Sequence, residues 1–331
     1  MPTTFESVLI ITIKPQMFRH FQDQIDIKSI DQNIEELDLC GTYINPFDVA
    51  QHLSKRVHSL DISCNNFSSS EFRLILQNHH QLKKINISAH AIVLDEKIIK
   101  DENIFPIELF HLEELIACNH RMRMQPIYLS LPSLVVLDIQ SNDLRNEEII
   151  KLTSAFQNGF LLTLKSLNIS DNHIGATGAR ALASCHGFLN TLIMCNNPIG
   201  DDGIFAFANV FGDPQHCSSY LTEFIIRGAY ITHRGGSAMA DALINNTSDL
   251  AILDMGANLM GNLGVEDMLS TLSFNTKITH LALDHNHTTK YRSCSIVTQQ
   301  LKRLQIDTIL GYVPGMRLCS QEGQVSIYER I

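Results

Sequence analysis

No run of apolar residues in this chain approaches the ~20 that a helix needs to cross a bilayer, so nothing in it is expected to span a membrane. Positive charge is scarce as well: 25 Lys and Arg stand against 35 Asp and Glu, a formal charge of −10. That balance argues against nucleic acid, whose phosphates call for a basic stripe, and makes a basic or mixed protein surface the expected partner. The start reads poorly as a secretory leader too, because the apolar stretch at residues 8–13 has no basic residues before it and runs into Lys14 and Pro15. The eight cysteines, at positions 40, 64, 118, 185, 195, 217, 294 and 319, form no CxxC pair or other disulfide spacing. Most occupy places where a small buried apolar group would serve, so a reducing, cytoplasmic setting is expected. Without an export signal, the sequons at Asn66, Asn86, Asn168, Asn245 and Asn246 read as coincidence.

What the chain does have is a repeat, clearest at residues 164–183, LKSLNISDNHIGATGARALA. Leu164, Leu167, Ile169 and Ile174, with Asn172 between the last two, match the L-x-x-L-x-L-x-x-N-x-L signature of a leucine-rich repeat. Alternation turns Leu167 and Ile169 inward and leaves Lys165, Asn168 and Ser170 to solvent, as on a short strand. A buried Asn172 would then bond backbone groups left unpaired at a bend. Gly175 and Gly178 permit tight or left-handed backbone, and Ala179, Leu182 and Ala183 recur at helical spacing.

Ten such motifs begin at Ile34, Val57, Leu82, Leu112, Leu134, Leu164, Leu189, Leu221, Leu250 and Ile278. The intervals between them are long for repeats of this kind and leave room for a helix in each coil. The helix halves align, giving the columns Leu182, Phe207, Met239, Met268 and Ala183, Ala208, Ala240, Leu269, which is how stacked helices interdigitate. The asparagine column departs at Thr42, His90, His120 and Ala229, and the third, fourth and eighth repeats are expected to bend less regularly. Residues 1–33, with Phe5, Val8 and Ile10 imitating a strand before MFRHFQDQI, read as an N-terminal cap, 34–290 as the repeats and 291–331 as a C-terminal cap and tail. Within that last part 295–306 suits an amphipathic helix and VSIY a strand.

The segments NISDNHIGATGARALA, MCNNPIGDDGIFAFANVF and MGANLMGNLGVEDMLSTL closely resemble the ribonuclease-inhibitor-like class of leucine-rich repeats. The resemblance implies a right-handed α/β solenoid, a horseshoe with a parallel concave β-sheet and convex α-helices, that works by binding. It says little about activity.

On the concave strands the solvent-facing positions are dominated by carboxylates. Asp38, Asp61, Asp138 and Asp254 share one strand position, in line with Asn86 and Asn168, while Glu113, Glu223 and Arg227 lie close by. A row of like charges repels itself unless something answers it, which favours a basic partner surface. Ile116, Ile193 and Ile225 are apolar exceptions in the same column, the form an interaction hot spot takes. These ten residues are the expected partner-binding set, against the plainer reading that polar strands are merely solvated.

Catalysis is not expected. Cys118 beside His120 has neither a held base nor an oxyanion site implied by its spacing. The segment Asp284-His285-Asn286-His287 offers too few metal ligands once Asn286 belongs to the repeat. GATG and GDDG lack the Lys-Ser/Thr of a phosphate loop, so no cofactor is expected either. The expected function is a non-catalytic, monomeric protein-binding scaffold. The alternative follows from relatives of the repeat family that activate small GTPases, for which Arg121, Arg123 or Arg145 would be candidates. The diverged, asparagine- and histidine-rich, tryptophan-free repeats also resemble leucine-rich-repeat effectors that intracellular bacteria secrete into the host cytosol, and the tail SQEGQVSIYERI is compatible with a C-terminal translocation signal.

Overall fold

The computed structural model describes residues 10–12, 27–65, 67–88, 110–119, 131–185, 189–213, 220–244, 249–271, 274–275 and 277–288, with the backbone of 312–313, 316–319 and 327–329. The chain divides into two compact units, Met1–Asn142 with Gly159–Leu164, and Asp143–Asn158 with Lys165–Ile331.

In the first unit, β1 (Ile10–Thr12), β2 (Glu36–Asp38), β3 (Ser59–Asp61), β4 (Lys84–Asn86), β5 (Glu114–Ile116) and β6 (Val136–Asp138) run parallel in chain order. Helices α1 (Pro46–His52) and α2 (Ser69–Asn78) pack together behind them. Each starts on a polar cap: Asn45 accepts from the Phe47 amide, and Ser68 and Glu71 form a reciprocal capping box.

The second unit holds β7 (Ser166–Asn168), β8 (Thr191–Ile193), β9 (Glu223–Ile225), β10 (Ile252–Asp254) and β11 (His280–Ala282), also parallel and in order. Its helices are α3 (Asn146–Gln157), α4 (Ala176–Ala183), α5 (Gly200–Gly212), α6 (His233–Ile244) and α7 (Gly261–Thr271), each packed on the next. The far edge of β11 is covered by antiparallel β14 (Ile327–Glu329), which pairs with β13 (Met316–Cys319), itself paired with β12 (Tyr312–Val313). Covering an edge strand in this way removes its unpaired N–H and C=O groups as a template for aggregation.

All ten motif-bearing strands start two residues after their motif's first apolar residue, and β1 adds an eleventh strand in register with β2. The middle residue of each motif strand, from Leu37 to Leu281, is buried, as the alternation requires. Leu182, Phe207, Met239 and Met268 are buried between coils, and Phe207, Phe211 and Phe224 form an aromatic cluster. The expected helices at 17–25 and 295–306, and His90 and His120, lie outside the described residues.

Bends after the strands are held by buried asparagines. The Asn197 amide donates to the carbonyls of Ile169, Met194 and Cys195, and its oxygen accepts from the Ile174 amide. Asn258 repeats the pattern with Ile226, Met255 and Gly256 as acceptors and the amides of Ala229 and Ile231 as donors. The eighth repeat therefore bends like its neighbours although it carries Ala229, because Asn258 of the following coil takes up its free amide. Gly228 holds the left-handed φ of 62° there that Asp171 (55°) and Asn196 (54°) hold in the preceding coils.

One expectation fails in an informative way. Gly175 is extended and Gly178 is helical, so neither uses the left-handed region. The Asn146 side chain of α3 accepts from both amides and caps the start of α4, and Gly178 is small because a Cβ there would come within 2.8 Å of Ile174 and 2.9 Å of that oxygen. Asp201 of α5 does the same for α6, accepting from the amides of Thr232 and Gly235. Each of these helices is capped by the one before it.

Candidate functional site

The open face of each sheet, turned away from the helices, carries the expected binding residues in aligned columns. Register puts Asp38, Asp61, Asn86, Ile116 and Asp138 side by side in the first unit, and Asn168, Ile193, Ile225 and Asp254 in the second. All nine side chains are partly exposed.

The polar members of this column hold the backbone. Asp38, Asp61, Asn86, Asp138, Asn168 and Asp254 each accept, through Oδ1, the amide two residues on, at 2.8–3.1 Å. An Asx residue at this position closes the strand's exit with its own side chain.

Isoleucine cannot do this, and after two of the three the structure supplies a substitute. The amide two residues after Ile116 belongs to Cys118 and donates to the Ser88 hydroxyl of the preceding coil at 3.0 Å. After Ile193, the Cys195 amide donates to the hydroxyl of Ser170, a residue buried here rather than turned to solvent, at 3.1 Å. Ile116 and Ile193 are thus dispensable for the backbone. On β10, Ile252 lies one strand over from Ile225 and extends the apolar surface; scanning the aspartate column alone misses it, since it stands two residues earlier in its strand.

Much of the charge is answered within the chain. The Asn86 amide donates to Asp61 Oδ2 at 2.8 Å, and Lys83–Glu113 (3.2 Å) and Lys84–Glu114 (2.9 Å) pair across neighbouring strands. Such exposed pairs contribute little to stability. Glu223 accepts from the Thr191 hydroxyl at 3.2 Å. The Arg227 guanidinium lies between two carboxylates, at 2.8 Å from Asp254 and 2.6 Å from Asp284, and His285 Nδ1 sits 2.6 Å from the latter.

Burial pushes the Asp284 carboxyl up, but hydrogen bonds from Arg227 and His285 outweigh it and hold the group below its ordinary range. For Asp254, burial prevails over the Gly256 amide and Arg227, and its carboxyl is raised. Asp254 is therefore committed to an internal ion pair, unlike Asp38 in the same structural column.

Four thiols are shifted away from easy ionisation. Burial and then the Asp138 carboxylate push Cys118 up to about 11, and burial raises Cys40, Cys185 and Cys195 as well. A thiol activated as a catalytic nucleophile needs the opposite shift, whereas slow stoichiometric exchange does not. Among the described residues no three His, Cys, Asp or Glu side chains gather in a way that would hold a metal ion. Arg145 is exposed at the start of α3, where its backbone amide donates to Glu148; Arg121 and Arg123 lie outside the described residues.

Short parallel strands, buried asparagines at most of the described bends and a stacked helix layer define an α/β repeat solenoid. A profile described as Leucine Rich repeat matches residues 161–183 and 188–208. The chain is 27% identical over 143 residues to the mouse (Mus musculus) NACHT, LRR and PYD domains-containing protein 14, a match covering 42% of this chain and 14% of that protein. Among solved structures, Rad7 and Elc1 in complex from yeast gives a match at a TM-score of 0.54 and 16% identity, covering 80% of this chain and 66% of that one. That likeness concerns the fold alone. An internalin (InlF) from Listeria monocytogenes aligns more weakly, at a TM-score of 0.46 and 19% identity over 78% of this chain and 76% of its own.

Proposed function

We propose that the chain is a non-catalytic scaffold that binds a protein partner through the open face of its sheet, with Ile116, Ile193, Ile225 and Ile252 as apolar anchors and Asp38, Asp61, Asp138, Glu113 and Glu223 as the polar surround. One observation carries this. In a column where Asx closes the strand exit, isoleucines stand half-exposed at three places, and after two of them the backbone is closed by other means. An apolar side chain that the fold does not need, on a rigid surface rimmed by charge, is the usual anatomy of an interaction anchor. Remaining carboxylates favour a partner with basic groups at its rim. Repeats long enough to carry full helices support the ribonuclease-inhibitor-like subtype, and the described cysteines, all free thiols, are compatible with a cytosolic setting.

Two variants test the reading by affinity capture and mass spectrometry. The Ile116→Asn, Ile193→Asn, Ile225→Asn protein restores Asx to the column, so it is expected to fold and to lose the partner. The Asp38→Asn, Asp61→Asn, Asp138→Asn protein keeps each Oδ1 acceptor while removing charge, and is expected to bind more weakly and with less dependence on salt. Capture of the same proteins by wild type and both variants would rule out the open face. If nothing is retained beyond an unrelated control, the scaffold reading itself fails.

A further inference from the structure

Two cysteines of the first unit remain without a role in the binding surface, and the register brings them together. Asp38 is paired with Asp61 across β2 and β3, and the parallel ladder continues past the strand ends, where the Leu39 amide donates to the Asp61 carbonyl at 2.8 Å and the Gly41 amide to the Ser63 carbonyl at 2.9 Å. Cys40 thus stands opposite Ser63, and Cys64 is one residue further along the adjacent coil. Neighbouring strands lie about 4.8 Å apart and one residue advances the chain about 3.3 Å, so this diagonal separates the two Cα atoms by roughly 6 Å. Disulfides form at Cα separations of about 4.4–6.8 Å. The Cys64 side chain is close enough to the Cys40 thiol to act on its ionisation.

Their surroundings differ in a useful way. Cys64 is exposed and Cys40 is half-buried. Burial holds the Cys40 thiol above its ordinary range, with Cys64 itself adding to the rise and the Ser63 hydroxyl opposing it. An exposed thiol beside a sheltered one is the arrangement in which the first is attacked from solution and the second resolves the adduct.

We propose that Cys40 and Cys64 form a redox-reactive dithiol, oxidised to an intramolecular disulfide by a low-molecular-weight disulfide such as oxidised glutathione. The Cys64 thiolate attacks one sulfur of that disulfide, whose S–S bond breaks and releases one glutathione thiolate. The Cys40 thiolate then attacks the Cys64 sulfur, the mixed disulfide breaks, and the second glutathione leaves. Two protein thiols are oxidised and one glutathione disulfide is reduced to two thiols. The product ties the first two coils together at the exits of β2 and β3, beside Asp38 and Asp61. It is independent of the open-face reading, since neither cysteine belongs to that surface.

The test uses the full chain, reduced and then incubated with oxidised glutathione, followed by non-reducing tryptic mapping. Wild type is expected to yield a disulfide linking the peptides 29–55 and 57–73, with a mass loss of about 2 Da and no retained glutathione. Cys40→Ser should stop at a glutathione adduct on Cys64, about 305 Da heavier, and Cys64→Ser should leave Cys40 a free thiol. The oxidised wild type should also melt at a higher temperature than the reduced one, because the link closes a loop in the unfolded chain. Retained glutathione on Cys64 of the wild type, pairing of either cysteine with another one, or modification of Cys40 in Cys64→Ser would each overturn the proposal. Thermal melts of both serine variants check that the fold is intact.

Discussion

The two units use one repeat to different ends. In the first, the open face is mostly charged and partly self-neutralised, through Asn86–Asp61, Lys83–Glu113 and Lys84–Glu114. In the second, isoleucines occupy adjacent strands and the main charges are drawn into one Arg227 cluster. The bends differ too. Asn172, Asn197, Asn258 and Asn286 all accept as well as donate in the second unit, whereas Asn65 in the first donates three bonds while its buried oxygen has no partner among the described residues. Thr42 in the preceding coil bonds locally to the Leu39 carbonyl instead. A repeat motif therefore constrains position far more tightly than it constrains how well each position is satisfied.

The sharpest contrast should come from the asparagines. Asn258→Ala removes five bonds at buried backbone groups and is expected to cost about 4 kcal/mol or more, while Asn65→Ala, with three bonds and one acceptor already unpaired, should cost about 2 kcal/mol. Urea melts of both variants measure the gap; equal losses would mean the two ladders are equivalent.

Arg227→Ala leaves Asp254 and Asp284 facing each other without their cation. The cluster is only partly buried, so a loss of about 2 kcal/mol is expected at neutral pH. Adding Asp284→Asn should recover part of it, which a thermal melt of the double variant would reveal.

Acid should separate the units by pH window. His79 is buried with Nε2 at 3.0 Å from the Val49 carbonyl and 3.1 Å from that of Ala50, so this nitrogen carries a proton and the carbonyls by themselves favour the charged ring. Burial, then the Lys55 charge, lowers its folded pKa. The unfolded chain thus takes the proton first, so this contribution is complete above about pH 6.5 and is lost as pH falls below it. Asp284, held low, contributes fully above about pH 3.9 and loses that contribution only as pH falls further. Asp254, held high, works in the opposite sense: its contribution is present in acid and lost as pH rises through its folded value. Denaturation at pH 7 and 5.5 should show a loss in wild type that His79→Gln abolishes and Asp284→Asn leaves unchanged.

The smallest effect is the most telling. Ile225→Asn alone should change stability by less than about 0.5 kcal/mol, because the side chain is half-exposed and an Asn there offers the Arg227 amide the acceptor that Asp254 offers Gly256 on the next strand. A large loss would mean that the isoleucines serve packing and not recognition.

The ten strands could be read from the chain because each coil repeats the same few apolar positions, and a recurring motif needs no knowledge of what lies beside it. The asparagine bends and the helix columns were readable on the same basis. Alignment also placed the aspartates and isoleucines correctly in one column. It could not tell that the aspartates close strand exits, that Asp254 belongs to Arg227, or that Ser88 and Ser170 relieve Ile116 and Ile193 of that duty. Nor could it tell that Gly178 is small to admit Asn146 from the helix before it. Sequence by itself determined the repeat, its register and which side chains face the core, since these follow from local periodicity. Only the tertiary structure decided which polar groups answer one another. Such partners, Ser88 with Cys118, Asn146 with Gly175 and Arg227 with Asp284 among them, belong to different coils and meet only when the coils stack.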